Sequence, residues 1–403
     1  MNAVILGNGA SGKAAAELLR REGWFVSVLD GADSWPDGAW DLCVTSPGVP
    51  EDHPWQESAR GKGVRIVSEL QLGAERYRAL GGRMFAVTGS KGKSSVVKLV
   101  ADALGGVPCG NYGKPLCDVV LDFMGAGPGC ASCGRKPPVA VVEVSSFQLE
   151  TTELPPDAFE AAAILNLQED HIDRHGSVER YHALKRRLLG FAAAKIEGGG
   201  SAGFKGVDPA GDRGLLAGSY FDNPVLEGNG LCAVALLKAA GLDDDAIRSA
   251  FARFEVLPHR MQTVGTFGGV TWIDDSKATS ISALAAGVRM AVSRCGADSA
   301  SGVRLIAGGL PKGDDPAVAR DCLAGGVAKV YLIGQCAREF ADAWKDAVPC
   351  EVCGTMDAAV ASARRDSKKG DCVLLSPGTA SFDQFRSYAE RGDRFAALAG
   401  GAE

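Results

Sequence analysis

The chain has 403 residues, of which 46% are hydrophobic and 23% are charged. This balance is typical of globular proteins and argues against long disordered segments, and the length fits about three domains of roughly 150 residues. The net charge of -6, without a long basic run, argues against nucleic acid as a partner. No apolar run reaches the roughly 18 residues that span a bilayer, and the N-terminus has no charged signal region, so we expect a cytoplasmic protein without a membrane partner.

Twelve cysteines are scattered along the chain. In a reducing compartment most of them are expected to be buried as small hydrophobic side chains. Cys130 and Cys133 have the spacing of a metal-binding pair, but a structural zinc site needs about four ligands and no second such pair occurs. The sequence therefore favours no metal site at this pair.

Short apolar runs recur at intervals that suit alternating strands and helices. They predict strands at 4–6, 25–29, 42–44, 85–87, 139–144, 161–165, 303–306, 330–333 and 373–375. Helical spacing at 94–104 and 178–189 lies between some of these runs. Such alternation is typical of parallel sheets covered on both faces, whose ligands bind beyond the carboxyl ends of the strands. Composition changes place the domains at 1–83, 84–256 and 257–403.

The first predicted turn is rich in glycine. Gly7, Gly9, Ser11 and Gly12 lie between a strand and a helix, and Asp30 ends the next strand. Backbone N–H groups of such a turn and the helix N-terminus bind phosphate groups. The pattern is close to a dinucleotide fingerprint, but by itself it leaves open NAD or FAD, another nucleotide, and an ordinary tight turn.

The most informative segment is residues 84–95, Met-Phe-Ala-Val-Thr-Gly-Ser-Lys-Gly-Lys-Ser-Ser. It predicts a buried strand, a phosphate loop and the start of a helix, so we expect the chain to bind a nucleoside triphosphate. The loop is shorter than the common Walker form, because Gly89 precedes Gly92 by three positions. Lys93 is expected to supply positive charge and Ser94 to ligate Mg²⁺. The candidate loop residues are Gly89, Ser90, Lys91, Gly92, Lys93, Ser94 and Ser95.

Polar residues also follow other predicted strands. Glu143 ends an apolar run, where a Mg²⁺ ligand is expected and a surface carboxylate is the alternative. Residues 166–173, Asn-Leu-Gln-Glu-Asp-His-Ile-Asp, contain His171, which is either structural or a catalytic or metal-binding residue. Lys185 lies on a predicted helix, and taken alone it favours a solvated face.

The C-terminal region has three polar loops, each after a predicted strand. They cover residues 273–280, 308–313 and 376–385, and Arg260 lies where this region begins. Charges of this kind also occur in ordinary exposed turns. Three such loops at the strand ends of one unit predict a second substrate site.

Together these segments resemble the Mur ligases, and most closely the branch that adds D-glutamate. The resemblance runs nearly end to end, and its most specific pieces are residues 88–95, 143–150, 166–173, 257–260, 275–279 and 375–385. It implies an α/β protein of three domains: a Rossmann-like N-terminal domain for the UDP part of the substrate, a central P-loop domain for ATP, and a Rossmann-like C-terminal domain that closes over the site. The first glycine loop would then hold a uridine nucleotide and not NAD.

The reaction implied by the resemblance joins D-glutamate to UDP-N-acetylmuramoyl-L-alanine, with hydrolysis of ATP, in peptidoglycan precursor synthesis. The substrate carboxylate attacks the γ-phosphate of ATP, and the amine of D-glutamate then displaces phosphate from the acyl phosphate. Both steps collect negative charge, which Lys93, the loop N–H groups and Mg²⁺, expected as two ions, stabilise. We expect a monomer with these three small-molecule substrates as its partners.

The resemblance also assigns roles to individual residues. The implied metal ligands are Ser94, Glu143, His171 and, if its amine is carbamylated, Lys185. Besides the phosphate loop, the implied ATP contacts are Asn229, Arg260 and Asp275, and the implied catalytic residues are Lys93, His171, Lys185 and Lys277. The implied UDP-substrate contacts are Gly7, Gly9, Ser11, Gly12, Asp30 and Asn111. The implied D-glutamate pocket contains Thr279, Lys312, Ser381, Phe382 and Tyr388.

The sequence departs from the family at three places. In the adenine-side motif, Asn229 matches the second Asn, but Leu226 stands where the first Asn belongs. Lys91 replaces the usual Asn of the phosphate loop, and residues 195–228 are predicted to be shortened and rich in loops. The open alternatives are a related ligase for L-glutamate, a folylpolyglutamate synthetase, against which the N-terminal nucleotide domain argues, and a non-catalytic nucleotide-binding protein.

Overall fold

The computed structural model describes residues 1–31, 33–125, 136–198, 204–295 and 302–401. The pair Cys130 and Cys133 lies outside the described residues. The chain divides into two compact units. The first unit contains Met1–Asp222 and Leu226–Phe254, and the second contains Asn223–Val225 and Glu255–Glu403.

The first sheet of the first unit is parallel, with strand order β2-β1-β3-β4. Its strands are β1 (Asn2–Leu6), β2 (Phe25–Leu29), β3 (Leu42–Thr45) and β4 (Arg65–Ser68). Its helices are α1 (Ala10–Arg21), α2 (Pro54–Gly61) and α3 (Glu69–Ala79). The central strand β1 is a continuous apolar run because both of its faces are covered. Helix α3 begins where Ser68 Oγ accepts a hydrogen bond from the N–H of Gln71.

The second sheet of the first unit is also parallel, with order β6-β7-β5-β8-β9. Its strands are β5 (Met84–Thr88), β6 (Val107–Gly110), β7 (Ala140–Glu143), β8 (Phe159–Ile164) and β9 (Ala192–Glu197). Its helices are α4 (Lys93–Leu104), α5 (Leu116–Gly125), α6 (Ser146–Leu149), α7 (Ile172–His175), α8 (Val178–Arg187), α9 (Pro209–Asp212), α10 (Glu227–Ala239) and α11 (Asp244–Ala252). Since β5 lies between β7 and β8, the segments after these three strands meet at one edge.

One apolar core joins the helices of these two sheets. It includes Leu18 of α1, Leu72 of α3 and Val120 of α5, all of which are buried. Burial of a Leu or Val side chain stabilises the folded state by about 1.5–3 kcal/mol relative to exposure. This core fixes the first sheet against the second within the first unit.

The sheet of the second unit has order β10-β11-β15-β12-β13-β14. Its strands are β10 (Gln262–Phe267), β11 (Val270–Asp274), β12 (Val303–Gly308), β13 (Val327–Ile333), β14 (Cys350–Gly354) and β15 (Cys372–Leu375). Its helices are α12 (Ile281–Cys295), α13 (Arg320–Ala324), α14 (Ala337–Trp344), α15 (Met356–Asp366) and α16 (Tyr388–Ala399). The neighbours β11, β15 and β12 are parallel, so the loops after them lie at one edge.

All nine predicted strands are present, which confirms the α/β fold class. One expectation needs correction. The sheet of the second unit is not wholly parallel, because β10 and β11 form an antiparallel hairpin whose turn contains Gly268 and Gly269, both at positive φ. The described part of 195–228 contains α9 and a 3₁₀ turn at Arg213–Leu216, and it is otherwise rich in turns and loops, as predicted. Within the described chain, no helix has both the length and the apolar character needed to cross a bilayer.

Candidate active site

The phosphate loop joins β5 to α4. Gly89 has φ 150° and Gly92 has φ 84°, and L side chains rarely adopt either conformation. Gly92 is the residue that precedes the first turn of α4. The N–H groups of that turn have no partner within the helix, which makes the start of α4 an anion-binding position.

Asn166 holds the phosphate loop from the end of β8. Its backbone oxygen accepts a hydrogen bond of 3.0 Å from the N–H of Ser90. Its side-chain Oδ1 accepts from the N–H of Lys91 at 2.9 Å, and its Nδ2 donates to the backbone oxygen of Lys91 at 2.8 Å. The sequence singled out this segment but gave Asn166 no role. The available signal was its place directly after a strand that neighbours β5.

Asn229 also contacts the loop. Its Oδ1 accepts from the Nδ2 of Asn166 at 2.9 Å, and its side chain is buried. A Cβ atom on Gly92 would lie 2.1 Å from the Nδ2 of Asn229. Asn229 therefore supports the phosphate loop, while its contact with adenine stays a prediction.

Two lysines meet at the loop. The Nζ of Lys93 donates to the backbone oxygens of Gly89, at 2.8 Å, and Ser90, at 3.1 Å. The Nζ of Lys185 donates to the same oxygen of Gly89 at 2.9 Å and lies 4.6 Å from the ring centroid of Tyr181. Only 2% of Lys185 is exposed, so the solvated-face interpretation of this residue is wrong. Burial, followed by the positive charge of Lys93, lowers the pKa of Lys185 to about 7.

Glu143 is a buried carboxylate at the end of β7. It is 2% exposed, so the alternative of a surface carboxylate is wrong. Its Oε1 accepts a hydrogen bond of 2.7 Å from the Nδ2 of Asn111. Its Oε2 has no hydrogen-bond partner among the described residues. A buried oxygen of this kind is costly without a partner, which fits a bound cation.

The residues near the phosphate loop suit a Mg²⁺ ion that is bound together with nucleotide phosphates. The described residues include no cluster of three or more His, Cys, Asp or Glu side chains that would hold a metal alone. Mg²⁺ in nucleotide sites is commonly bound by one or two carboxylates together with substrate phosphates. The free Oε2 of Glu143 and the hydroxyl of Ser94, on the first turn of α4, suit that arrangement.

His171 lies at the start of α7 with φ 54°, in the left-handed region. Half of its side chain is exposed, and its ring lies 5.0 Å from the ring of Phe147 and 6.3 Å from that of Tyr181. The ring is therefore accessible and is flanked by aromatic side chains. Its role as a metal ligand stays a prediction.

The glycine turn of the first sheet is tightly packed. Gly7 has φ 91°, and a Cβ atom on Gly12 would lie 1.9 Å from the backbone oxygen of Gly7. Glycine at position 12 thus lets α1 approach the turn closely. Ser46, which follows β3, donates through Oγ to the same oxygen at 3.3 Å. The sequence gave Ser46 no role, although it follows a strand adjacent to β1 and so lies at the edge where the predicted uridine-nucleotide site would be.

The second unit contains a further cluster of predicted residues. Asp275 is buried, so an exposed turn is the wrong interpretation for it, and its Oδ2 accepts from the Oγ of Ser376 at 2.9 Å. Burial raises the pKa of Asp275 to about 7. The Nζ of Lys277 lies 3.8 Å from the ring centroid of Tyr388.

The three polar loops of the second unit are hydrogen-bonded to one another. The N–H of Gly378 donates to the oxygen of Ala278 at 2.9 Å, and the N–H of Leu310 donates to the oxygen of Ala380 at 3.0 Å. The loops after β11, β15 and β12 thus meet at one edge of the sheet, while the second substrate site expected there stays a prediction. Lys312 and Phe382 are exposed in these loops, whereas Ser381 is buried.

Comparisons with known proteins agree with this geometry. The family model for the Mur ligase middle domain matches residues 87–196, which include the phosphate loop, Glu143 and Lys185. The family model for the Mur ligase glutamate ligase domain matches residues 259–378, which include Asp275.

Curated relatives match over almost the whole chain. The UDP-N-acetylmuramoylalanine–D-glutamate ligase of Acidobacterium capsulatum is 33% identical and covers 97% of this chain and 94% of the relative. The protein of the same name from Rubrobacter xylanophilus is 36% identical and covers 98% of this chain and 92% of the relative. The solved UDP-N-acetylmuramate-alanine ligase of Thermotoga maritima shares the fold, with a TM-score of 0.57 over 100% of both chains at 15% identity. The chain therefore belongs to the Mur ligase family.

Proposed function

We propose that this protein is the ATP-dependent ligase that joins D-glutamate to UDP-N-acetylmuramoyl-L-alanine. The observation that carries the proposal is the junction at Gly89, whose backbone oxygen accepts hydrogen bonds from both Lys93 and Lys185. This junction places two amines and the start of α4 around one phosphate-binding loop. The near-full-length similarity to relatives named as D-glutamate ligases supports the choice of substrates.

In the first step, a carboxylate oxygen of the substrate forms a bond to the γ-phosphorus of ATP. The bond between that phosphorus and the bridging β-phosphate oxygen breaks, and ADP leaves. Lys93 and the N–H groups at the start of α4 stabilise the charge on the transferred phosphoryl oxygens, and one preorganised donor of this kind lowers the activation free energy by about 3–4 kcal/mol. Glu143 and Ser94 would hold Mg²⁺, which would supply further positive charge at the phosphates.

In the second step, the amine of D-glutamate attacks the carbonyl carbon of the acyl phosphate. A C–N bond forms, the amine loses a proton, and phosphate leaves with the electrons of the C–O bond. We assign binding of D-glutamate to the second unit, where cationic and hydroxyl groups suit a dicarboxylate. The assigned residues are Thr279, Lys312, Ser381, Phe382 and Tyr388, with Lys277 beside them.

We also propose that Lys185 is carbamylated and that its carbamate, with His171, helps to bind a second Mg²⁺. The amine nitrogen would form a bond to the carbon of CO₂ and release one proton. Incubation with ¹³C-bicarbonate should give a carbamate signal in the ¹³C NMR spectrum of the wild type but not of Lys185→Met. A spectrum without that signal in the wild type would contradict the modification.

We propose that the reaction takes place in the cytoplasm. We also propose that the active species is a monomer. Its proposed domains are 1–83, 84–256 and 257–403. Light scattering during chromatography at assay concentration measures the mass of the active species. Limited proteolysis of the full chain, with the cleavage sites identified by mass spectrometry, tests the boundaries. A dimer mass would contradict the monomer, and cleavage that avoids residues 79–83 and 256–258 while cutting within the proposed domains would contradict the boundaries.

The direct test of the function is a ligation assay. The protein is incubated with ATP, Mg²⁺ and UDP-N-acetylmuramoyl-L-alanine, and D-glutamate or L-glutamate is added separately. Phosphate release and the mass of the nucleotide product are followed together. Product with D-glutamate alone is the expected result. Product with L-glutamate alone would overturn the stereochemical assignment, and the absence of product with either acceptor would overturn the proposed function.

A further inference from the structure

Arg391 is a fully buried cation in the second unit. It lies in the first turns of α16, and its side chain has no exposure to solvent. Its four hydrogen bonds all go to neutral oxygen atoms. Burial lowers the pKa of Arg391 to about 10. The carboxylates of Asp383 and Asp274 act against this shift but make no ion pair with Arg391 among the described residues. A buried cation whose hydrogen bonds all go to neutral acceptors is often less favourable for folding than a packed apolar side chain, which points to a role other than stability.

The acceptors of Arg391 belong to two loops. In the loop after β11, Nε donates to the Oγ of Ser276 and Nη2 to its backbone oxygen, both at 2.9 Å. In the loop after β15, Nη2 donates to the backbone oxygen of Thr379 and Nη1 to that of Ala380, both at 3.2 Å. The Oγ of Ser276 in turn donates to the backbone oxygen of Tyr388 at 2.7 Å. The guanidinium group thus ties both loops to the start of α16.

A third loop packs against the same group. Gly309, which follows β12, has φ 139°, and a Cβ atom there would lie 2.4 Å from the oxygen of Ala380 and 3.2 Å from the Nη1 of Arg391. Only a glycine lets this loop approach so closely without displacing the others. Arg391 therefore lies at the junction of all three loops that carry the assigned D-glutamate residues.

Residues with proposed roles in the reaction lie next to the residues that accept hydrogen bonds from Arg391. Lys277 follows Ser276, and its Nζ lies over the ring of Tyr388. Ser381 follows Ala380. The Oγ1 of Thr379 is buried and has no hydrogen-bond partner among the described residues. A shift of either loop would move these groups relative to one another.

We propose that Arg391 is a positioning residue that sets the geometry of the D-glutamate pocket by holding the Ser276 and Thr379–Ala380 backbones in register. This inference rests on the proposed function. The planar guanidinium presents donors in a fixed fork, so one side chain reaches four acceptors in two loops. A lysine carries the same charge but has one nitrogen, which cannot reproduce that pattern.

The test is Arg391→Lys, with Arg364→Lys as its matched control. Arg364 lies on α15 and donates to the backbone oxygens of Leu398 and Ala399 at the other end of α16, so the control makes the same exchange at an arginine that also contacts α16. We expect Arg391→Lys to raise the KM for D-glutamate by at least about tenfold, equivalent to 1.4 kcal/mol, while the Kd for ATP changes less than about twofold. Arg364→Lys should leave both constants near those of the wild type.

Ser276→Ala is the second variant, because it removes one acceptor and keeps the backbone oxygen. It should raise the KM for D-glutamate by a smaller factor, and it decides the question if Arg391→Lys does not fold by circular dichroism. A folded Arg391→Lys with an unchanged KM for D-glutamate, or with an equal loss in every constant, would overturn the inference. If the wild-type protein does not ligate D-glutamate, both the proposed function and this inference are wrong. If the wild-type protein is active and the variants have unchanged constants, only the inference is wrong.

Discussion

Asn166 and Asn229 share a hydrogen bond of 2.9 Å at the phosphate loop, donated by the Nδ2 of Asn166 to the Oδ1 of Asn229. Asn166 also exchanges hydrogen bonds with the backbone of Lys91, and the amide of Asn229 lies close to Gly92. The pair holds the loop in shape from the side of β8 and α10. A loop that is already ordered loses less conformational entropy when it binds a phosphate, which favours binding.

Gly92→Ala should weaken ATP binding through this contact. The added Cβ atom would meet the Nδ2 of Asn229 at 2.1 Å, and the positive φ adds strain of about 1–2 kcal/mol. The matched control is Gly105→Ala at the other end of α4, where φ is 57° and the added Cβ atom meets nothing within 4 Å. Calorimetric titration with ATP should show at least about a tenfold higher Kd for Gly92→Ala only. Equal effects of both variants would show that backbone strain alone is responsible.

Lys93→Ala should abolish ligation and leave the fold intact. Its amine donates to the loop backbone in hydrogen bonds to Gly89 and Ser90, and loss of a preorganised cation lowers kcat by about 100-fold or more. Lys98→Ala is the control, since Lys98 lies on the same helix and pairs with Asp102 at the surface. Phosphate release and circular dichroism are measured for each variant. If a folded Lys93→Ala variant kept substantial ligase activity, the assignment of Lys93 to the ATP site would be wrong.

Glu143→Gln should raise the Mg²⁺ concentration needed for half-maximal phosphate release by at least about tenfold. The amide keeps an acceptor for Asn111 but loses the charge that fits the cation. Glu160→Gln is a suitable control, because Glu160 lies on β8 of the same sheet and pairs with Arg83 at the surface. The metal role of Glu143 would be wrong if both variants had the wild-type Mg²⁺ dependence.

Glu69 should make the stability of the first unit depend on pH. Its Oε1 accepts from the N–H of Cys117 at 2.8 Å, its Oε2 has no hydrogen-bond partner in the described chain, and burial raises its pKa from 4.5 to about 7. Between these two values the folded state holds a proton that the unfolded state has lost, so this contribution to stability falls as pH rises from about 4.5 to 7. The melting temperature of Glu69→Gln minus that of the wild type should therefore increase over this range. A difference that is constant with pH would contradict the prediction.

Six strands of the described chain lie outside the nine predicted apolar runs, and five of these six lie at a sheet edge. The five edge strands are β4, β6, β9, β10 and β14, and the sixth strand is β11. An edge strand is covered on fewer sides, so it needs no long apolar run, and β6 even contains Pro108, which normally argues against a strand. The interior strands other than β11 are long apolar runs because both of their faces are covered, and these runs predicted them.

Site residues were predictable where a loop follows a recognised strand, as at Gly89, Glu143 and Asp275. Lys185 and Arg391 are charged residues on helices; charge taken alone favoured a solvated face for Lys185, and no sequence pattern singled out Arg391. A signal existed for both: Lys185 is four residues after the buried Tyr181, and Arg391 is four residues before the buried Phe395. Residues four apart lie on one helix face, so the helical spacing placed both cations on an apolar stripe. Their hydrogen-bond partners come from segments that are distant in the sequence, so these contacts could not be predicted without the structure.

The left-handed backbone at His171 has an evolutionary consequence. An L side chain at φ 54° costs about 1–2 kcal/mol relative to a right-handed residue, and glycine would avoid that cost. Selection for thermal stability alone would therefore drive this position towards glycine. The imidazole at position 171 therefore carries a cost in folding stability that glycine would avoid, and this cost supports the proposed role of His171 in the reaction.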